Sequence, residues 1–110
     1  MQIQITGTKL DLTEALKSYI EEKLSSLSRL ISSFESNTEV LVQFELALTT
    51  HHHKQGNIYR AEANLSMPGH PSIRVESNTE DAYEAIDKTK NILKHELSKY
   101  HDKLTDKRNK

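Results

Sequence analysis

Five lysines, Lys88, Lys90, Lys94, Lys99 and Lys103, fall within the stretch EDAYEAIDKTKNILKHELSKYHDKL, in a chain whose formal net charge is only -1. Lysine at this density does one kind of chemistry well. It presents point charges to a phosphate backbone, with salt-sensitive affinity and little base readout. Lys90 with Lys94, and Lys99 with Lys103, are like charges one helical turn apart, each pair costing roughly 0.2–0.5 kcal/mol in an isolated helix. An anionic partner reverses that sign. Lys17, Lys23 and Arg29 lie in an earlier amphipathic stretch. Lys23 stands within its apolar stripe between Ile20 and Leu27, so it either snorkels past its neighbours or emerges in a groove between two helices. With His95, these residues form the candidate set for contacting RNA. The plain alternative is a solvated helix whose lysines pair with Glu84, Asp87 and Asp102 and satisfy the helix dipole.

Other chemistry is thinly provided. His51-His52-His53 is conspicuous, but consecutive residues of a strand alternate sides and no spaced acid or histidine completes a metal site, so no metal is expected. A turn adding partial positive charge beside Lys54, or a neutral solvated hairpin, accounts for it as well. Cysteine is absent, which excludes disulfides, thiolate catalysis and cysteine-ligated metal. There is no Gly-rich phosphate loop, nucleophile elbow or H-E-x-x-H, so neither an enzyme nor a cofactor is expected. The serines of SSLSRLISS read as polar helix surface and loop. Tyr83, at the edge of an apolar face, reads as packing, with base stacking the lesser alternative.

Alternating apolar residues place a short strand over Gln2 to Thr6, interrupted by Gly7. Asp11-Leu-Thr-Glu14 has the shape of a capping box, and Leu12, Leu16, Tyr19, Ile20, Leu24, Leu27 and Ile31 predict a helix from about Leu12 to Ile31. After a polar connection, Val40 to Leu48 alternates as the longest strand. Tyr59 to Met67 and Ile73 to Val75 follow, separated by HHHKQGN and by Pro68-Gly69-His70-Pro71. Asn78 or Thr79 can cap a last helix whose apolar face is Ala82, Ile86, Leu93, Leu97, Tyr100 and Leu104. On that helix Lys88, His95, Lys99 and Lys103 line one flank, and Lys90, Lys94 and His101 the other.

The fold class is therefore α+β, in the order β-α-β-β-β-α. Each strand has one apolar face, so a four-stranded sheet should carry two helices on one side, as in a double-stranded-RNA-binding domain. A right-handed first crossover makes the first two strands parallel if they are neighbours. At 110 residues the chain is about one domain, taken as residues 1–104, with 105–110 a basic flexible tail. With 35% hydrophobic and 28% charged residues, no signal peptide and no span approaching roughly 20 apolar residues, the expected location is the cytosol, with no membrane partner.

I-Q-I-T-G with L-T-E-A-L, K-L-x-x-L at Lys23 to Leu27, Y-R-A-E-A-N-L, M-P-G, and D-A-Y-E-A-I-D running into H-E-L-x-K-x-x-x-K-L together resemble the ribosome hibernation promoting factor family, which includes ribosome-associated inhibitor A. The resemblance spans nearly the whole chain. It implies a cytosolic stress or stationary-phase protein that binds the small ribosomal subunit, occupies the channel of tRNA and mRNA, and silences translation without chemistry or a small-molecule substrate. Lys17, Lys23, Lys99 and Lys103 match basic family positions, and Asp81, Tyr83, Ala85 and Ile86 match its aspartate, tyrosine and alanine-isoleucine signature. Ile92 and His95 stand at commonly basic positions, Glu96 replaces a glutamine, and Lys88 and Lys90 replace commonly apolar or neutral residues. The end TDKRNK lacks the inhibitor branch's acidic tail and the extra domain of long members, so the chain looks like a short hibernation promoting factor, expected to be a monomer off the ribosome. A stand-alone double-stranded-RNA-binding module is the alternative, although it wants a Lys-rich helix N-terminus and Thr79 to Asp81 is acidic. A metal-binding or enzymatic domain built on the His run is a third.

Overall fold

The structure is a computed structural model, and it describes residues 1–35, 39–49 and 56–108. Four strands, β1 (Gln2–Thr8), β2 (Leu41–Thr49), β3 (Ile58–Ser66) and β4 (Ile73–Thr79), form one sheet in the order β1-β2-β3-β4. The chain starts at the β1 edge, where β1 runs parallel to β2 with Ile3 opposite Val42 and Ile5 opposite Phe44. Hairpins then make β2–β3 and β3–β4 antiparallel. Helices α1 (Glu14–Ser25), α2 (Ser28–Ser32) and α3 (Ala82–Arg108) contribute to a single apolar core with the inward residues of the strands. The α+β class, element order and parallel first pair are those expected.

Several local features depart from what the periodicity predicts. Gly7 does not end β1; it pairs with Leu46, and the strand continues to Thr8. A Cβ at Gly7 would lie 2.7 Å from Leu12 Cγ, so the glycine makes room for the chain leading into α1. The N-cap of α1 is Thr13, whose hydroxyl accepts from the Leu16 N–H at 3.1 Å, rather than Asp11. The expected long first helix breaks after Ser25. Ser26 donates its hydroxyl to the Lys23 carbonyl at 2.5 Å, and Leu27 N–H turns to the Leu24 carbonyl. Ser32 and Ser33 bond back to carbonyls three residues earlier in the same way. Serine hydroxyls offer the backbone an alternative to the regular helix ladder, and here that alternative divides the helix. Leu27 and Ile31 remain buried across the break.

The cap of α3 is Asp81, whose Oδ1 accepts from the Tyr83 N–H at 3.1 Å. Thr79, still in β4, donates to the Asp81 carbonyl at 2.6 Å and holds the connection tight. The helix runs past Leu104 to Arg108, its 27 residues spanning about 40 Å at 1.5 Å per residue. His51-His52-His53 and Lys54 lie outside the described residues.

One position that periodicity passed over seats α3 on the sheet. Thr89 is fully buried among Ile86, Leu93 and Leu97, and its hydroxyl donates to the Ala61 carbonyl at 3.1 Å and lies 2.8 Å from Ser77 Oγ. Ser77 in turn donates to the Ala85 carbonyl at 3.0 Å. The isosteric change Thr89→Val breaks this seam, and we expect a loss of about 1 kcal/mol, or roughly 4–8 °C in Tm, measured by thermal melting. Thr89→Ser is expected to keep most of it.

At the sheet end near the polar connection, Glu35 accepts from the Val40 N–H at 2.9 Å and from the Met1 ammonium at 2.9 Å. The Val40 N–H, then the ammonium, hold the Glu35 carboxyl below its ordinary value of 4.5. A depressed carboxylate stabilises the fold above its unfolded pKa and loses that contribution as pH falls through its folded value. Stability measured by urea titration should therefore decline below about pH 4.5. Glu35→Gln is expected to be less stable at pH 7 by about 1 kcal/mol and flatter across that acidic window.

Candidate nucleic-acid interface

The uncovered face of the sheet is already neutralised by its own side chains. Arg60 lies 3.0 Å from Glu45 and 3.9 Å from Glu76, Arg74 lies 2.9 Å from Glu62, and Thr8 donates to Glu45 at 2.6 Å. Carboxylates outnumber the cations in this network, so it offers little to phosphate. The candidate cations instead stand on the helical side.

Lys23 emerges in the groove between α1 and α3, the second of its two expected courses. Its Nζ lies 3.6 Å from Asp87 Oδ1 and 5.1 Å from the centre of the Tyr19 ring. Tyr19 donates its hydroxyl to the same Asp87 oxygen at 2.7 Å and packs edge-on against Tyr83, 4.8 Å between ring centres. That hydrogen bond, with burial second, pushes the Tyr19 phenol up to about 12, so it stays a neutral donor at any physiological pH. Lys23 is therefore in place but partly compensated by its own carboxylate.

Tyr83 and Asp87 mark the flank of α3 that faces α1. Lys90 and Lys94 continue that row at helical spacing, Lys90 half-buried and Lys94 exposed. Among the described side chains neither is paired with a carboxylate. Lys99 and Lys103 stand on the opposite flank, lining a groove with Pro71, Ile73, Glu96 and Tyr100. Lys88 and His95 are exposed; Lys88 is 3.3 Å from Glu84, and Lys99 is 3.8 Å from Glu96. On α1, Lys17 is exposed and 4.0 Å from Glu14. Arg29 is exposed on α2, and no described contact joins it to the lysines of α3. The structure thus gathers Lys23, Lys90 and Lys94 on one side of α3 and Lys99 and Lys103 on the other, and leaves Lys17 and Arg29 apart.

Tyr83 is 39% exposed, yet its surroundings do not suit RNA. It borders a groove of about 540 Å³ lined by Asp11, Glu80 and Asp81 with Leu10, Leu16 and Tyr59, and by no cation. Phosphate is repelled there, and packing on Tyr19 is what the ring does. A second aromatic cluster, unforeseen from spacing, clamps the far half of α3. Tyr100 stacks on Phe34 with 5.8 Å between centres, its hydroxyl meets His70 Nδ1 at 2.7 Å, and His101 sits edge-on to Phe34. Among the described residues no group of three or more histidines and acids is placed to hold a metal, and no helix is long and apolar enough to cross a membrane.

Residues 3–105 of this chain match the family described as sigma 54 modulation protein / S30EA ribosomal protein. The chain belongs to that family. It is 35% identical over 103 residues to a ribosome hibernation promoting factor of Azotobacter vinelandii, covering 94% of this chain and 85% of that one. It is 35% identical over 104 residues to a ribosome hibernation promotion factor of Deinococcus radiodurans, covering 91% of this chain and spanning 49% of that protein's length. The solved structure of a ribosomal subunit interface protein from Coxiella burnetii superposes with a TM-score of 0.70 at 25% identity, over 93% of this chain and 99% of that one.

The family signature can now be placed on the fold. Asp81 caps α3, Ala85 and Ile86 are fully buried, and Tyr83 braces α1. These residues position the helix that carries the lysines; they do not themselves form a cationic surface. Of the lysines expected from the resemblance to meet rRNA, Lys23, Lys99 and Lys103 stand beside grooves along α3, while Lys17 is exposed on α1.

Proposed function

We propose that this protein is a ribosome hibernation factor. It binds the small ribosomal subunit through the lysine-bearing face of α1 and α3, lies where tRNA and mRNA would pass, and silences translation in the cytoplasm under stress or in stationary phase. It acts by occupancy, with no reaction, cofactor or small-molecule substrate, and is a monomer off the ribosome. Residues 1–104 form the ribosome-binding domain, and the basic residues after them extend its reach along RNA. The observation that carries this reading is the one-sided charge of a family member. On the helical side Lys90, Lys94 and Lys103 have no carboxylate partner among the described residues, while the sheet side is closed by its own Arg–Glu network. The names of the relatives, ribosome hibernation promoting factor and ribosomal subunit interface protein, point the same way.

The alternative of a stand-alone double-stranded-RNA module wants a basic N-terminus on its last helix. Here that end carries Glu80, Asp81 and Glu84 around an acidic groove. Co-sedimentation with purified small subunits at low and high salt, with free duplex RNA as competitor, tests the proposal. Subunit binding that weakens with salt and resists duplex competitor is expected. Binding to duplex RNA alone overturns the reading.

A further inference from the structure

Two grooves on the helical side are walled by tyrosines, and their charge separates them. The groove at Tyr83 is acidic. The groove beside Tyr100, about 220 Å³, is lined by Pro71, Ile73, Glu96, Lys99, Tyr100 and Lys103. That volume is below the roughly 300–1,000 Å³ of a drug-sized ligand's pocket, so it suits one flat ring system and not a whole ligand. Its apolar walls are Pro71, half-buried Ile73 and half-buried Tyr100. The Tyr100 ring is held by its stack on Phe34 and its bond to His70, so this wall is fixed before any ligand arrives. Lys99 and Lys103 stand one turn apart at the rim, a repulsive spacing that a phosphate between them relieves.

Glu96 is the odd member of this lining. A carboxylate repels phosphate, and its contact with Lys99 is long at 3.8 Å, leaving its oxygens with acceptor capacity to spare. A carboxylate in an otherwise cationic, apolar groove is suited to a base edge that offers two adjacent donors. The Watson–Crick edge of guanine presents two adjacent donors, N1–H and N2–H, which one carboxylate accepts together. Adenine and cytosine each place an acceptor beside their single amino donor and so meet the carboxylate with a repulsive atom. Single-stranded RNA is read in this manner, by stacking an unpaired base on an aromatic or apolar wall and bonding its Watson–Crick edge.

We propose that the groove between α3 and the β3–β4 turn takes an unpaired guanine nucleotide of RNA, with the base against Ile73 and Tyr100, its edge on Glu96, and its phosphates between Lys99 and Lys103. The inference rests on the ribosomal reading above and names a nucleotide class for one part of that surface. It also gives a role to Glu96 and to the apolar turn residues, which a purely electrostatic surface does not need.

The test uses the full chain and fluorescein-labelled pentamers r(UUGUU), r(UUAUU) and r(UUCUU) at low salt, read by anisotropy, with amide NMR shifts locating the site. The guanine pentamer is expected to bind about tenfold more tightly than the other two, the scale of one good bidentate base contact. Its largest shifts should fall at Ile73, Glu96 and Tyr100. Glu96→Gln, a change at the rim that leaves the core intact, is expected to bring the three pentamers within about twofold of one another, mostly by weakening guanine. Equal binding of the wild type to all three, a guanine preference that survives Glu96→Gln, or shifts confined to the α1–α3 groove overturns the inference. Guanosine 5'-monophosphate binding as tightly as the guanine pentamer assigns the groove to free nucleotide and overturns it as well. Small-subunit sedimentation run in parallel keeps the two readings distinct: retained sedimentation without base preference removes only the guanine site, and absent sedimentation removes the ribosomal reading.

Discussion

Reversing Lys90 and Lys94 together to glutamate is expected to weaken binding to the small subunit by about two orders of magnitude at low salt and to flatten its salt dependence by about 1.5 logarithmic units. The slope is the more telling quantity, because each phosphate contact contributes about 0.7–0.9 to it and two contacts are removed. These two lysines are singled out because no described carboxylate compensates them and because they extend the row begun by Tyr83 and Asp87 along the α1 side of α3. Lys88, by contrast, spends part of its charge on Glu84, 3.3 Å away. A double reversal that leaves sedimentation and its salt slope unchanged, in a protein with a native melting curve, contradicts this placement.

The second large effect goes in the opposite direction. Asp87→Asn is expected to tighten binding about tenfold at low salt and to steepen the salt dependence by about 0.7–0.9. In the free protein Asp87 occupies Lys23 much as a phosphate oxygen would, at 3.6 Å, and Tyr19 holds it there. Phosphate must therefore compete with an internal carboxylate for this lysine. Removing the charge frees Lys23, while the amide oxygen of asparagine still accepts from Tyr19. Both side chains of the pair are a third or more exposed, so the loss to folding is small, about 0–1 kcal/mol. The same variant has an optical signature. Without the carboxylate, the Tyr19 phenol should titrate from about 12 back toward its ordinary 10, visible as phenolate absorbance appearing at lower pH. Unchanged affinity and slope, with the phenol shifted, show that Lys23 does not meet phosphate.

The strands were legible because each has one apolar face, and a period of two leaves little freedom once Val42, Phe44, Leu46, Ala61, Ala63 and Leu65 must all point inward. The parallel β1–β2 pair followed from connectivity. Helix ends were less legible, since Asp11 and Thr13, or Thr79 and Asp81, are chemically equivalent candidates and the choice depends on where the chain leaves the strand. The break at Ser26 had a visible cause in the run of serines, but serine competes with the helix ladder only when its rotamer turns back, which spacing does not encode. Thr89 was passed over because it is polar. Its buried role depends on Ser77 and a strand carbonyl brought to it by the hairpin. Of the candidate interface, the lysines and their flanks could be read from helical periodicity. The pairing of Lys23 with Asp87, the acid character around Tyr83 and the wall formed by Tyr100 with His70 join residues far apart in the chain, and no local pattern announces them.

On the proposed function, the self-neutralised sheet face also limits how many polyanions one molecule would hold. A small protein with cations on both broad surfaces would bridge two RNA strands, and at cellular concentrations of ribosomes such bridging builds networks. Among the described residues Arg60 and Arg74 are engaged by Glu45, Glu76 and Glu62, so on the proposed function one side would grip RNA while the sheet side offers it little. A protein that fills a channel, as proposed above, gains from such one-sidedness, because it must do so without gluing its host to anything else.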